Sequence, residues 1–154
     1  MALKPNFLKL SYLDDGDLYS CGLAGEVRVG HFAGVGEAWF GRSELANFLS
    51  DLETFSKTLS GNPCIRGGFW NREKPDEIEQ VNLSLSFYTY SLSGKIGVRI
   101  DLADDPHTYR REEEVSRIQT ELKTVPGMVD RFIKEARYML RERDGFAILE
   151  GGDD

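Results

Sequence analysis

The stretch VNLSLSFYTYSLSGKIGVRIDL, Val81 to Leu102, decides the fold. Val81, Leu83, Leu85, Phe87 and Thr89 alternate with Asn82, Ser84, Ser86, Tyr88 and Tyr90; beyond a turn, Ile96, Val98, Ile100 and Leu102 alternate with Gly97, Arg99 and Asp101. Successive side chains of a strand point to opposite faces, so this pattern predicts an antiparallel hairpin with one buried side. With Ser93-Gly94 as a two-residue turn, Thr89 is expected opposite Val98, Phe87 opposite Ile100 and Leu85 opposite Leu102. The other side then pairs Tyr88 with Arg99, Tyr90 with Gly97 and Ser86 with Asp101.

A sheet with one apolar side needs a cover, and two segments offer it. Across Arg42 to Ser60, Leu45, Phe48, Leu49, Leu52, Phe55 and Leu59 recur at helical spacing, with Ser43 as the expected N-cap and Gly61 and Pro63 as the stop. Ser116 to Thr124 fits a helix face as well as a strand. Pro126 favours the strand, because proline suits a helix's first turn and disrupts its interior. The helix it opens carries Val129, Phe132, Ile133, Ala136 and Leu140 and runs to about Arg143, with Arg141 and Arg143 near its negative end and Asp144-Gly145 closing it.

Phe7 to Leu13 and Leu18 to Leu23 read as an opening hairpin around the acidic turn Asp14-Asp15-Gly16-Asp17, within an N-terminal segment 1–25. Glu26 to Phe32 and Glu37 to Phe40 read as strands joined across Gly34-Val35-Gly36, and residues 145–154 as an acidic, mobile tail. The expected fold is α+β and a single domain over 1–154: a curved, mainly antiparallel sheet with two amphipathic helices, Ser43 to Ser60 and Pro126 to Arg143, packed on one face.

A chain of 154 residues can bury a core without metal or disulfide staples. Its 19 basic and 26 acidic residues give a net charge of −7, which repels phosphate backbones and attracts basic partners, so nucleic acid is not an expected ligand. Cys21 and Cys64 allow one internal disulfide at most, and the sequence does not say whether they lie close together. Neither a secretory leader nor a membrane-length apolar run stands out, and the expectation is a cytoplasmic protein with reduced thiols.

GHFAGVGEAWFG, Gly30 to Gly41, invites reading as a phosphate loop and fails the test. Its glycines at 30, 34 and 36 fit neither the dinucleotide nor the Walker spacing, no lysine follows, and Glu37 would face the phosphates. Tight turning between twisted strands is the expected role. No local motif makes a nucleophile and base of Cys21 or Cys64 with His31 or His107, and buried structural thiols are expected. Asp104, Asp105 and His107 are too few to define a metal site. Trp39, Phe69 and Trp70 are expected in the core or at a sheet edge. Catalytic, cofactor and metal residues are therefore expected to be none.

One constellation stands apart. Tyr88, Tyr90, Arg99 and Asp101 share the hairpin side that the helices leave uncovered, and tyrosine and arginine are the types that anchor protein interfaces. These four are the candidate partner-binding residues; the plain alternative is cross-strand stabilisation of a solvated sheet, including a Tyr88/Arg99 cation–π contact.

Glu37-Ala38-Trp39-Phe40 followed by SELANFLSDLETF (Ser43 to Phe55), the long hairpin, and a strand and helix like TELKTVPGMVDRFIKEARYML resemble the WapI-type bacterial immunity proteins over roughly Glu26 to Leu140. The likeness is one of element order and apolar pattern; the segment before Glu26, Trp70 to Glu77 and His107 to Glu114 have no counterpart. It implies a non-catalytic protein that neutralises a cognate toxin by docking an acidic, aromatic surface on a basic toxin domain. The rival expectations are a small-ligand or enzymatic domain using a cleft between helix and sheet, and a self-associating accessory subunit, a homo-oligomer, whose exposed sheet pairs with a copy of itself.

Overall fold

In the computed structural model, which describes residues 6–70, 73–74, 78–104 and 111–152, the Val81–Leu102 alternation forms the expected hairpin. The strands are β1 (Phe7–Leu13), β2 (Ser20–Val29), β3 (Phe32–Gly41), β4 (Cys64–Trp70), β5 (Ile78–Thr89), β6 (Ile96–Ala103), β7 (Arg117–Thr124) and β8 (Phe146–Glu150). Helix α1 (Arg42–Thr58) follows β3, and α2 (Pro126–Glu142) follows β7. The architecture is α+β and antiparallel, as the pattern predicts, with the strands divided between a first sheet, β3-β2-β1-β8, and a second, β4-β5-β6-β7.

The two sheets face each other. Leu83 and Leu102 of the second sheet reach to 3.0 and 3.1 Å from where a Cβ on Gly25 would stand. A Cβ on Gly36 would collide with the backbone carbonyl of Asn82, so glycine at 36 sets how closely β3 lies on the second sheet. The helical stripes complete the same core: Phe48 and Leu49 of α1 and Phe132 and Met139 of α2 meet Leu10 and Leu23 of the first sheet and Ile65 of the second. Fully burying each such side chain contributes about 1.5–3 kcal/mol relative to leaving it exposed. Ser56 Oγ donates to Asp130 Oδ1 at 2.6 Å and Arg137 pairs with Glu53 at 2.7 Å, fixing the helices to each other.

Four local expectations are corrected. The turn between β2 and β3 is Gly30-His31, with Gly30 at a φ of 62°, and Gly34-Val35-Gly36 continue the strand. The N-cap of α1 is Gly41 rather than Ser43, because β3 runs directly into the helix; Glu44 reaches back to the Gly41 N–H at 3.3 Å. The β5–β6 register is displaced by two residues, so that Thr89 faces Ile96, Phe87 faces Val98 and Leu85 faces Ile100. Tyr90 N–H donates to the Lys95 carbonyl at 3.1 Å, which makes Ser91 to Gly94 the loop. A slip by two keeps every side chain on its expected face.

The fourth correction concerns the tail. Phe146–Glu150 forms β8 against β1, with Ala147 and Leu149 fully buried. Residues 151 and 152 continue outward from it: Gly151 N–H donates to the Asn6 carbonyl at 2.9 Å and Gly152 N–H to that of Lys123 at 2.8 Å, linking the first sheet to β7 of the second.

Candidate protein-docking face

Because the second sheet turns Leu83, Leu85, Phe87, Ile96, Val98, Ile100 and Leu102 into the core, its intervening residues form an outer face. Strand register arranges that face in rows. Arg66, Ser84, Asp101 and Gln119 are successive partners across all four strands; Cys64, Ser86, Arg99 and Glu121 form the next row, and Tyr88, Gly97 and Lys123 the one after. The structure thus places Tyr88, Tyr90, Arg99 and Asp101 on one surface.

Their chemistry differs from the expectation. Arg99 faces Ser86 and Tyr88 faces Gly97, so the anticipated Tyr88/Arg99 stacking is replaced. The Tyr88 ring covers Gly97 closely enough that a Cβ there would collide with it, and its hydroxyl donates to Glu121. Burial, and then the hydrogen bond to that carboxylate, push the phenol up to about 12. Arg99 donates to Gln119 Oε1 at 3.2 Å, and the Lys123 ammonium lies 5.7 Å from the centre of the Tyr90 ring.

Asp101 stands apart from these satisfied neighbours. Its Oδ1 is buried yet has no hydrogen-bond partner among the described residues. It lines an open depression of about 760 Å³ together with Arg66, Gln80, Ser84, Arg117 and Gln119. Arg66 is exposed and forms no ion pair among the described residues. Among the described side chains the face carries Arg66, Arg99, Arg117 and Lys123 against Asp101 and Glu121, a cationic surplus on an anionic chain. Acidic side chains also stand elsewhere on the molecule, in the exposed Asp14–Asp17 loop and at exposed Glu26 and Glu37.

Arg66, Gln119 and Glu121 were not among the candidates from sequence. Their signal was legible, since Arg117, Gln119, Glu121 and Lys123 alternate with Ile118, Thr120, Leu122 and Thr124. What sequence alone does not give is that β7 lies beside β6 and β4 beside β5.

The other candidates do not converge. His31 sits exposed in the β2–β3 turn. Cys21 is buried, and burial pushes its thiol up, whereas Cys64 is exposed at the start of β4, contrary to the expectation of two buried thiols; both are free. Asp105 and His107, and the side chains of Phe69 and Trp70, lie outside the described residues. Among the described residues no three His, Cys, Asp or Glu side chains gather as a metal site would require, and no helix is long and apolar enough to cross a membrane. Trp39 is an exposed sheet-edge residue.

Comparison with protein-family models, with curated proteins and with solved structures found no match.

Proposed function

We propose that this protein acts by binding another protein, without catalysis, through the outer face of its second sheet. The observation that carries this reading is Asp101. A carboxylate oxygen withdrawn from water without a donor costs about 1–3 kcal/mol or more, so its retention calls for a group that supplies the donor. A partner side chain entering the depression does so once the Asp101 carboxyl group turns to meet it, with Arg66 free to take an acceptor on the same partner and Tyr90 and Arg99 as flanking contacts. Tyr88, held by Gly97 and Glu121, shapes the face rather than reaching out from it.

The resemblance to WapI-type immunity proteins extends this reading to a toxin domain as partner, in the cytoplasm of a bacterium. The test is calorimetric titration with the product of the neighbouring reading frame. Asp101→Ala and Arg66→Ala are expected each to weaken binding by about 2 kcal/mol or more, as central anchors do, with the melting temperature retained. Unchanged affinity in both variants contradicts the reading, as does a neighbouring product that does not bind.

A further inference from the structure

The second surface is an edge. Val29 and Phe32 close the two-residue turn at one end of the β2–β3 pair, and at the other the Arg42 N–H donates to the Tyr19 carbonyl at 2.8 Å. Both belong to one hydrogen-bonding alternation, in which Gly34, Gly36, Ala38 and Phe40 bond to β2 while the amides of Ala33, Val35, Glu37, Trp39 and Gly41 point away. Gly41 has the Glu44 carboxylate as acceptor. Among the described residues the other four have none.

Exposed edges are ordinarily blunted by proline, lysine, a bulge or a covering element. Among the described residues β3 has none of these: Val35 is 55% and Trp39 51% exposed. Along this edge runs a depression of about 460 Å³, whose other wall is Gly68, Asn82, Ala103 and Asp104 of the second sheet. The close seating of Gly36 on the Asn82 backbone places that sheet beneath the edge as a floor.

We propose that the β3 edge accepts an extended segment of another protein as a fifth strand of the first sheet, with a lysine or arginine facing Glu37. Backbone pairing supplies the attachment and side chains the choice of segment. Glu37 is exposed and has no ion pair among the described residues, and the chain is anionic overall, so the cross-strand neighbour that fits is a cation. The adjacent Trp39 ring offers that cation a second contact. A second copy of the chain fits less well: two-fold pairing of β3 with β3 would bring the copy's own second sheet, which lies under its own Gly36, onto the same floor.

The probe is a short synthetic peptide alternating Lys and Val, blocked at both ends, followed by amide chemical shifts. Shifts are expected at Ala33 to Trp39 and not on the outer face of the second sheet, which separates this site from the proposed docking face. Methylating alternate peptide nitrogens is expected to weaken binding at least about tenfold, since the ladder cannot form. Glu37→Lys is expected to weaken it about two- to fivefold, the scale of one exposed ion pair. Val35→Pro removes an amide that does not serve β2 and is expected to abolish binding. If that variant fails to fold, the methylated peptide on the unaltered protein decides. Absence of shifts at β3, equal binding of the methylated peptide, or concentration-dependent β3 shifts without peptide would overturn the proposal.

Discussion

The two edges of the first sheet have opposite fates. At β8 two of the outward-pointing groups are taken: the Ile148 N–H donates to Glu135 Oε1 of α2 at 2.9 Å, and the Glu150 carbonyl accepts from Thr124 Oγ1 at 2.9 Å. At β3 four outward amides meet no acceptor among the described residues, and Val35 and Trp39 face solvent beside them. The difference arises from chain order. α2 runs straight into β8 through Asp144-Gly145 and folds back along it, whereas α1 leaves the far end of β3 and carries its apolar stripe into the core. A sheet edge is closed by the element that happens to return to it, and an edge left open is a surface for another chain.

The contrast yields predictions of decreasing size. Leu149→Ala, at a fully buried position of β8, is expected to destabilise by about 2–5 kcal/mol in denaturant unfolding; no change would restore the mobile tail. Glu135→Ala leaves the Ile148 amide without its acceptor and is expected to cost about 1–3 kcal/mol and to speed exchange of that amide. Stability unchanged within error would mean that α2 does not seal the edge.

The outer face of the second sheet is an intermediate case, uncovered but partly satisfied by its own side chains. Tyr88→Phe is expected to cost about 0.5–1.5 kcal/mol through loss of the bond to Glu121. Because folding raises the Tyr88 pKa from 10.0 to about 12, its contribution is complete below pH 10 and is lost as pH rises from 10 to 12. Unfolding measured across that window should show a fall in stability that Tyr88→Phe reduces; an identical slope in the variant would contradict the assignment. Smallest of all, Val35→Thr on the open edge is expected to change stability by no more than about 0.5 kcal/mol, since its side chain is 55% exposed and its outward amide meets no acceptor among the described residues.

Much of this was legible in the residues. Alternation from Val81 to Leu102 assigned each side chain its face even though the register moved by two, because parity survives a slip of two and only the loop length was misread. Pro126 at the first helical position marked the start of α2 and the end of β7. β8 is hidden because Phe146, Ala147, Ile148 and Leu149 form a short apolar run without strand alternation, followed at once by acids of the kind that end a folded chain. The candidate face was half legible: Tyr88, Tyr90, Arg99 and Asp101 came from one hairpin, but the row joining Arg66 to Gln119 through Asp101 needs β4 and β7 in place. Edge status was not legible at all, because whether β3 or β8 is covered depends on non-local packing that no local pattern encodes.

Native-state amide hydrogen exchange on the protein alone tests the contrast most directly. Fast exchange is expected at Ala33, Val35, Glu37 and Trp39, slow exchange at Gly34, Gly36, Ala38 and Phe40, and slow exchange at Ile148. Uniform protection along β3, or an unprotected Ile148, would contradict it.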